Sequence, residues 1–151
     1  MTNYLDKNHF LEVVKHTPLV SIDMVVKNSM GEVLLGFRKN EPARDFWFVP
    51  GGRICKDERI KDAFSRISLS ELGVGFEISE AHSLGVFEHL YDRNFALEAG
   101  VSTHYIVLAY AFKLDLPLDM IPKDQHQICR WWPVEELKTA ANVHANTKAY
   151  F

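Results

Sequence analysis

Glu71 is an acid set among apolar residues. The sequence predicts a helix from Glu58 to Leu72, and at about 100° per residue its Ile60, Ala63, Phe64 and Ile67 form one apolar stripe. Glu71 follows Ile67 by four residues and falls on the same stripe. A carboxylate on a core-facing stripe is costly unless something compensates its charge, and the dipole disfavours an acid in the last helical turn. A bound cation removes both objections; the alternative is a frayed last turn that lets Glu71 reach water. Positions 67, 70 and 71 share a helix face, where three acids could gather a cluster of hard cations. This chain has Ile67, Ser70 and Glu71 there, so further oxygen ligands are required. The backbone at Gly51 offers one, because glycine lets a carbonyl approach an ion closely.

Arg38 and Arg53 have the planar fork that suits a diphosphate, and such contacts strengthen as charge develops on a leaving group. Lone surface arginines are more often solvated. An unperturbed histidine titrates near ~6.5 and can accept a proton at cellular pH, which makes His126 a candidate base. On the residues alone, a solvated loop histidine is the simpler reading. Trp47, Trp131 and Trp132 stand at strand positions and are assigned to the core rather than to base stacking. Cys55 and Cys129 lack ligand-type spacing and read as free thiols in a reducing cytosol.

The elements that must position these groups follow from periodicity and punctuation. A short amphipathic helix is predicted from Tyr4 to Lys15, ended by Pro18. Leu19 to Val26 and Val33 to Phe37 flank Asn28-Ser29-Met30-Gly31 and read as a hairpin. Asp45 to Pro50 is a third strand, running into Gly51-Gly52 and then the Glu58 to Leu72 helix. Ala81 to His89, Thr103 to Leu114 and Ile128 to Trp132 read as strands. Pro133 begins a helix through Leu137, and Asn142 to Phe151 reads as a terminal helix. Strands on both flanks of a central helix make the class α+β.

The chain of 151 residues suits one compact domain, residues 1–151, and 47% hydrophobic with 25% charged residues is an ordinary globular composition. No segment approaches the ~20 apolar residues of a membrane span. Met1 to Phe10 mixes acids, bases and Asn, unlike a secretory signal, so a cytoplasmic location is expected. A net charge of -3 leaves no basic surplus for a nucleic acid.

Gly52, Glu58, Arg66, Glu71, Gly73 and Val74 fall in register with the box of the Nudix hydrolase family, which the chain resembles. The family pattern is Gly, five residues, Glu, seven residues, then Arg-Glu-aliphatic-x-Glu-Glu-x-Gly-aliphatic. Ile67 and Ser70 replace its usual metal-binding glutamates, and Ser68 replaces an aliphatic residue. The family's GDP-mannose mannosyl hydrolase branch lacks those glutamates. Thr17-Pro-Leu-Val-Ser-Ile-Asp23, Phe46-Trp-Phe-Val-Pro-Gly-Gly-Arg53, Asp124-Gln-His126 and Asn142-Val-His-Ala-Asn all look like that branch.

The resemblance implies a Nudix fold, a mixed β-sheet sandwiched between α-helices. It implies one Mg2+ per active site, held by the Gly51 carbonyl, Glu71 and Gln125, with His126 as the general base. Arg38, Arg53, Asp23, His89 and Tyr105 would contact substrate, and Phe10 is a candidate for the guanine pocket. His144 is assigned to the terminal helix. The implied reaction is hydrolysis of GDP-mannose, with tolerance for GDP-glucose, to GDP and the free sugar by inverting water attack on the anomeric carbon. A homodimer is implied, with the aromatic segment Phe87 to Phe95 as part of the partner surface. Two rivals remain: a pyrophosphohydrolase attacking phosphorus, and a nucleotide-sensing domain without turnover.

Overall fold

A computed structural model describes residues 4–123 and 126–151, with the side chains at 126 and 127 outside that description. Asp6 caps helix α1 (Lys7–His16), its carboxylate accepting from the Asn8 and His9 amides, so the helix starts later than the periodicity predicts. Strands β1 (Leu19–Lys27) and β2 (Val33–Arg38) follow. Of the third strand predicted over Asp45 to Pro50 only β3 (Trp47–Phe48) forms, and the glycine pair that follows it opens a separate strand, β4 (Gly51–Arg53), ahead of α2 (Ile60–Leu72). Strands β5 (His82–Tyr91), β6 (Thr103–Lys113) and β7 (His126–Trp132) come next, then α3 (Val134–Thr139) and α4 (Ala145–Lys148). The expected terminal helix from Asn142 is thus only the single turn of α4. Asn142 and Val143 instead dock on β3, where the Trp47 amide donates to the Asn142 carbonyl at 2.8 Å and Trp47 pairs with Val143.

The β1–β2 hairpin opens almost as soon as it forms, with Lys27 opposite Val33 as its registered pair. The segment after β2 fills the wedge. β3 pairs with β2 through Gly36↔Phe48 and Phe37↔Trp47, and β4 pairs with β1 through Ser21↔Arg53 and Asp23↔Gly51. β1 runs parallel to β6, while β6–β5 and β2–β7 are antiparallel, so the seven-stranded sheet is mixed.

Both faces of β1 are covered, which is why it reads as a nearly continuous apolar run. Ile22, Met24 and Val26 pack beneath Ala63, Phe64 and Ile67 of α2. Val25 faces the other way, into a core built with Trp47, Trp132, Leu137 and Val143. α1 contributes Val14 to a smaller cluster with Leu19 and Val101. Trp47 and Trp132 are buried, as their strand positions suggested; Ile60 is 44% exposed, so the stripe of α2 begins at Ala63 instead. Gly73, with φ of 76°, caps α2 in the left-handed conformation and donates its amide to the Leu69 carbonyl.

Candidate active site

The wedge between β1 and β2 opens into a pocket of about 750 Å³. Asp23 enters from β1, Arg38 from the end of β2, Gly51 and Arg53 from β4, and Glu71 from the last turn of α2. His89 of β5, Tyr105 of β6 and Phe10 of α1 line it as well. The folding therefore brings together residues spread over the chain from position 10 to position 105. Gln125 and the His126 side chain lie outside the described residues; the backbone of His126 pairs with that of Arg38.

Gly51 fits where no other residue would. A Cβ on it would lie 2.5 Å from Asp23 Oδ1 and 2.5 Å from the Ile22 carbonyl oxygen. At Gly52 an added Cβ would meet Ile67 Cγ1 at 3.1 Å, so the double glycine lets β4 press against both β1 and α2. Ile67 is 2% exposed and packs in the α2 core, where a glutamate would bring a charge. Ser68 replaces an aliphatic residue without loss of satisfaction: its hydroxyl donates to the Ser65 carbonyl and accepts from the Phe76 amide at 2.8 Å. Ser70 is exposed at the pocket rim.

Glu58 and Arg66 build the loop that carries Arg53, with Arg66 also lining the pocket. Arg66 donates to both Glu58 oxygens and to the Arg53 carbonyl, while Glu58 also accepts from the Cys55 amide. The Arg66 guanidinium holds the Glu58 carboxyl below the usual carboxylate range.

Charge in the pocket departs from that of the whole chain. Five basic side chains (Arg38, Lys39, Arg44, Arg53, Arg66) face three acids (Asp23, Glu41, Glu71), although the chain carries a net charge of -3. This local surplus suits an anion. The buried Nε of Arg38 has no hydrogen-bond partner among the described residues, an unmet donor that an anionic ligand would satisfy. The Arg53 guanidinium lies 3.8 Å from the Phe10 ring centroid, and Phe10 packs on Phe95 at 4.7 Å.

Asp23 is 8% exposed, and burial raises its carboxyl to about 6 despite the Tyr150 hydrogen bond and the Arg38 charge. The charge of Glu71 adds to that rise, which places the two carboxylates near one another. Burial lowers His89 to about 4, so its ring is neutral at cellular pH. Burial also raises Tyr105, against the pull of Arg53 and Arg38, so its hydroxyl stays a donor. His144 caps α4 by accepting from the Asn146 amide, the helix-end role expected for it.

No local pattern in the sequence marks Tyr150, which donates to Asp23 at 2.6 Å, or Glu41 and Phe95, which line the pocket. Phe95 belongs to the segment expected to form part of a partner surface. In the fold the aromatic side chains of that segment turn inward, Phe87 onto Tyr150 and Phe95 onto Phe10. The outward residues of β5 are Val86 and Leu90, 66% and 69% exposed.

Among the described residues no helix is long and apolar enough to cross a membrane. Comparison with known proteins agrees with the geometry. The pattern of the NUDIX domain matches residues 17–151. The low-salt glycan biosynthesis protein Agl8 of Haloferax volcanii is 44% identical over 114 residues, covering 76% of this chain and 70% of that protein. Among solved structures, a MutT NUDIX hydrolase from Burkholderia pseudomallei superposes with a TM-score of 0.70 at 23% identity, over 89% of this chain and 96% of that one. The NUDIX domain of Shewanella oneidensis NrtR, complexed with ADP ribose, superposes at 0.64 with 18% identity, over 97% and 96%. At these identities the solved structures speak to the fold, an α+β mixed sheet between helices. With the domain pattern spanning most of the chain and the box residues placed as described, this chain belongs to the Nudix hydrolase family.

Proposed function

We propose that the protein hydrolyses GDP-mannose to GDP and mannose, tolerating GDP-glucose, by attack of water on the anomeric carbon. The observation that carries this reading is a phosphate-suited pocket holding Arg38, Arg53 and Glu71, in which two box carboxylates are replaced by buried Ile67 and exposed Ser70. The similarity to a protein named for glycan biosynthesis supports a nucleotide-sugar substrate.

Nudix hydrolases generally use a divalent cation, typically Mg2+. The pocket fits one: the Glu71 and Asp23 carboxylates and the closely approached Gly51 backbone are hard oxygen donors lining the same space. Gly51, Glu71 and Gln125 would hold a single Mg2+, which when bound supplies positive charge that stabilises the departing diphosphate. Arg38 and Arg53 hold that diphosphate and gain strength as its charge grows. Tyr105 donates its hydroxyl to a phosphate oxygen, and Asp23 with neutral His89 engages the sugar side. His126 takes a proton from water as its oxygen bonds to C1. The C1–O bond breaks with its electron pair leaving on GDP.

A homodimer is part of the proposal, with exposed Val86 and Leu90 on the outer face of β5 as part of its surface. Light scattering showing a 17.4 kDa species alone at assay concentration would remove it.

One incubation with GDP-mannose and Mg2+, with products separated, tests the activity. GDP plus mannose is the expected result. GMP plus mannose phosphate would move the protein to the pyrophosphohydrolases, and no turnover would favour a sensing domain.

A further inference from the structure

The substrate-facing acid Asp23 is held by a residue from the far end of the chain. Tyr150 Oη donates to Asp23 Oδ2 at 2.6 Å, and the other oxygen, Oδ1, lies beside the Gly51 backbone at the pocket surface. Among the described residues the Tyr150 hydroxyl is the hydrogen-bond donor to this carboxylate. His89 Nε2 stands 3.4 Å from the same hydroxyl oxygen. The tyrosine's single proton is committed to Asp23, so the neutral imidazole donates its Nε2–H to the tyrosine oxygen. The result is a directional chain from His89 to Tyr150 to Asp23, with each proton facing the carboxylate.

The packing explains how a residue after a single-turn helix can be so placed. Asn142 and Val143 are fastened to Trp47, Thr147 is fully buried, and the Tyr150 ring stands edge-on to Phe87 at 4.8 Å. Tyr150 does not line the pocket. Its contact is with the back of a group that does.

We propose that Tyr150 is a positioning residue: its hydroxyl locks the Asp23 carboxylate with Oδ2 turned away and Oδ1 presented to a sugar hydroxyl, so that recognition of the sugar passes through residue 150. This rests on the reading of the pocket as a nucleotide-sugar site. A carboxylate on a strand otherwise swings about χ2 through a broad range, and the lock removes that freedom before substrate arrives.

The test is a double-mutant cycle in the full chain with Mg2+. Tyr150→Phe keeps the ring packing and is expected to lower kcat/KM for GDP-mannose about 10- to 100-fold, the size of one hydrogen bond to a charged group. Inhibition by GDP, which lacks the sugar, should stay unchanged. In the Asp23→Asn background the same substitution should matter by less than about twofold, because its effect passes through that carboxylate. Fully additive losses, or wild-type kinetics in Tyr150→Phe, would overturn the proposal. A second readout stands apart from substrate. The Tyr150 hydroxyl proton should appear as a slowly exchanging downfield NMR resonance, lost in Tyr150→Phe and displaced in Asp23→Asn. If the wild type leaves GDP-mannose intact, the reading of the site falls, and this resonance decides the lock alone: its presence sustains the lock and its absence overturns it.

Discussion

Arg66 grips Glu58 with two nitrogens, Nε–H to Oε1 at 2.6 Å and Nη2–H to Oε2 at 2.9 Å. The spacing of eight residues carries the pair from the loop before α2 to the middle of that helix. The same Nη2 reaches the Arg53 carbonyl, so the cation at Arg53 depends on the Glu58–Arg66 pair of the box. Glu58→Ala strands the guanidinium and frees the loop. It should cost about 2 kcal/mol and lower Tm by roughly 4–8 °C. Arg66→Lys keeps the charge but loses the fork and should fall between that variant and the wild type. Thermal melting of the two variants checks this, and an Arg66→Lys variant as stable as the wild type would mean that the forked geometry contributes nothing.

Gly51→Ala should be far more damaging than Gly52→Ala. At 51 the new methyl meets the Ile22 carbonyl, a backbone group that moves only if β4 parts from β1. At 52 it meets an isoleucine side chain at 3.1 Å, which can give by a few tenths of an ångström. Loss of more than about 100-fold in turnover at 51, against less than about tenfold at 52, is the expected contrast. Matched activities would show that the strand contact is not what holds the site.

His89 makes stability depend on pH with a defined sign. Its pKa is about 4 in the fold against 6.5 for the free side chain. As pH falls from 6.5 towards 4, the unfolded chain gains a proton that the folded chain refuses, so stability falls. The contribution is complete above 6.5 and is lost as pH drops through that window. Asp23 acts with the opposite sign: raised to about 6 from 3.8, it favours the folded state at low pH, and that contribution fades as pH rises through 6. Denaturant unfolding of the wild type and His89→Asn at several pH values isolates the histidine. Because Asp23 opposes His89 over much of this window, the expected signature is a difference: relative to the wild type, the variant should gain stability as pH falls from 6.5 towards 4, and parallel curves would refute the buried neutral assignment.

Glu71→Gln and His126→Gln separate the proposed metal and base roles. The first should sharply weaken Mg2+ binding while the domain stays folded, since Glu71 is 5% exposed and an amide of the same shape fits its place. The second should lower turnover about 10²- to 10⁴-fold with little change in substrate affinity. Unchanged Mg2+ affinity in the first, or full activity in the second, would strike that residue from the site.

What was legible in the sequence divides along a physical line. Glu71, Ile67 and Gly73 are fixed by the local period and cap of one helix, so their places follow from spacing. Strand positions of Trp47 and Trp132 likewise announce burial. The shortening of the Asp45 to Pro50 strand to β3 and the separate strand β4 at the glycine pair are not legible, because both answer the divergence of β1 and β2, a tertiary event. Tyr150 was hidden for the same reason. Its partner lies 127 residues away, and no local pattern marks a tyrosine that will meet a buried aspartate. The amphipathic rule also misled at Ile60, where the core ends before the periodicity does.

In the proposed reaction the bond that breaks is C1–O, which sets it apart from attack on phosphorus. Attack on phosphorus drives an anionic nucleophile against a negatively charged diphosphate, and sites that do so commonly gather several cations on clustered acids. Here the α2 face that would carry those acids presents buried Ile67, exposed Ser70 and Glu71. Among the described residues no group of three or more His, Cys, Asp or Glu side chains is placed to hold a metal ion. Attack on carbon avoids the repulsion and needs chiefly a stabilised leaving group, for which Arg38, with its unmet Nε, and Arg53 are in place. On the proposed mechanism water would approach the face opposite the departing GDP and invert the α-linked sugar. Turnover of GDP-mannose in ¹⁸O-labelled water should put the label on the C1 hydroxyl, and early NMR spectra should show β-mannose before mutarotation. Label in the GDP phosphate would rule out carbon attack, even with GDP and mannose as products.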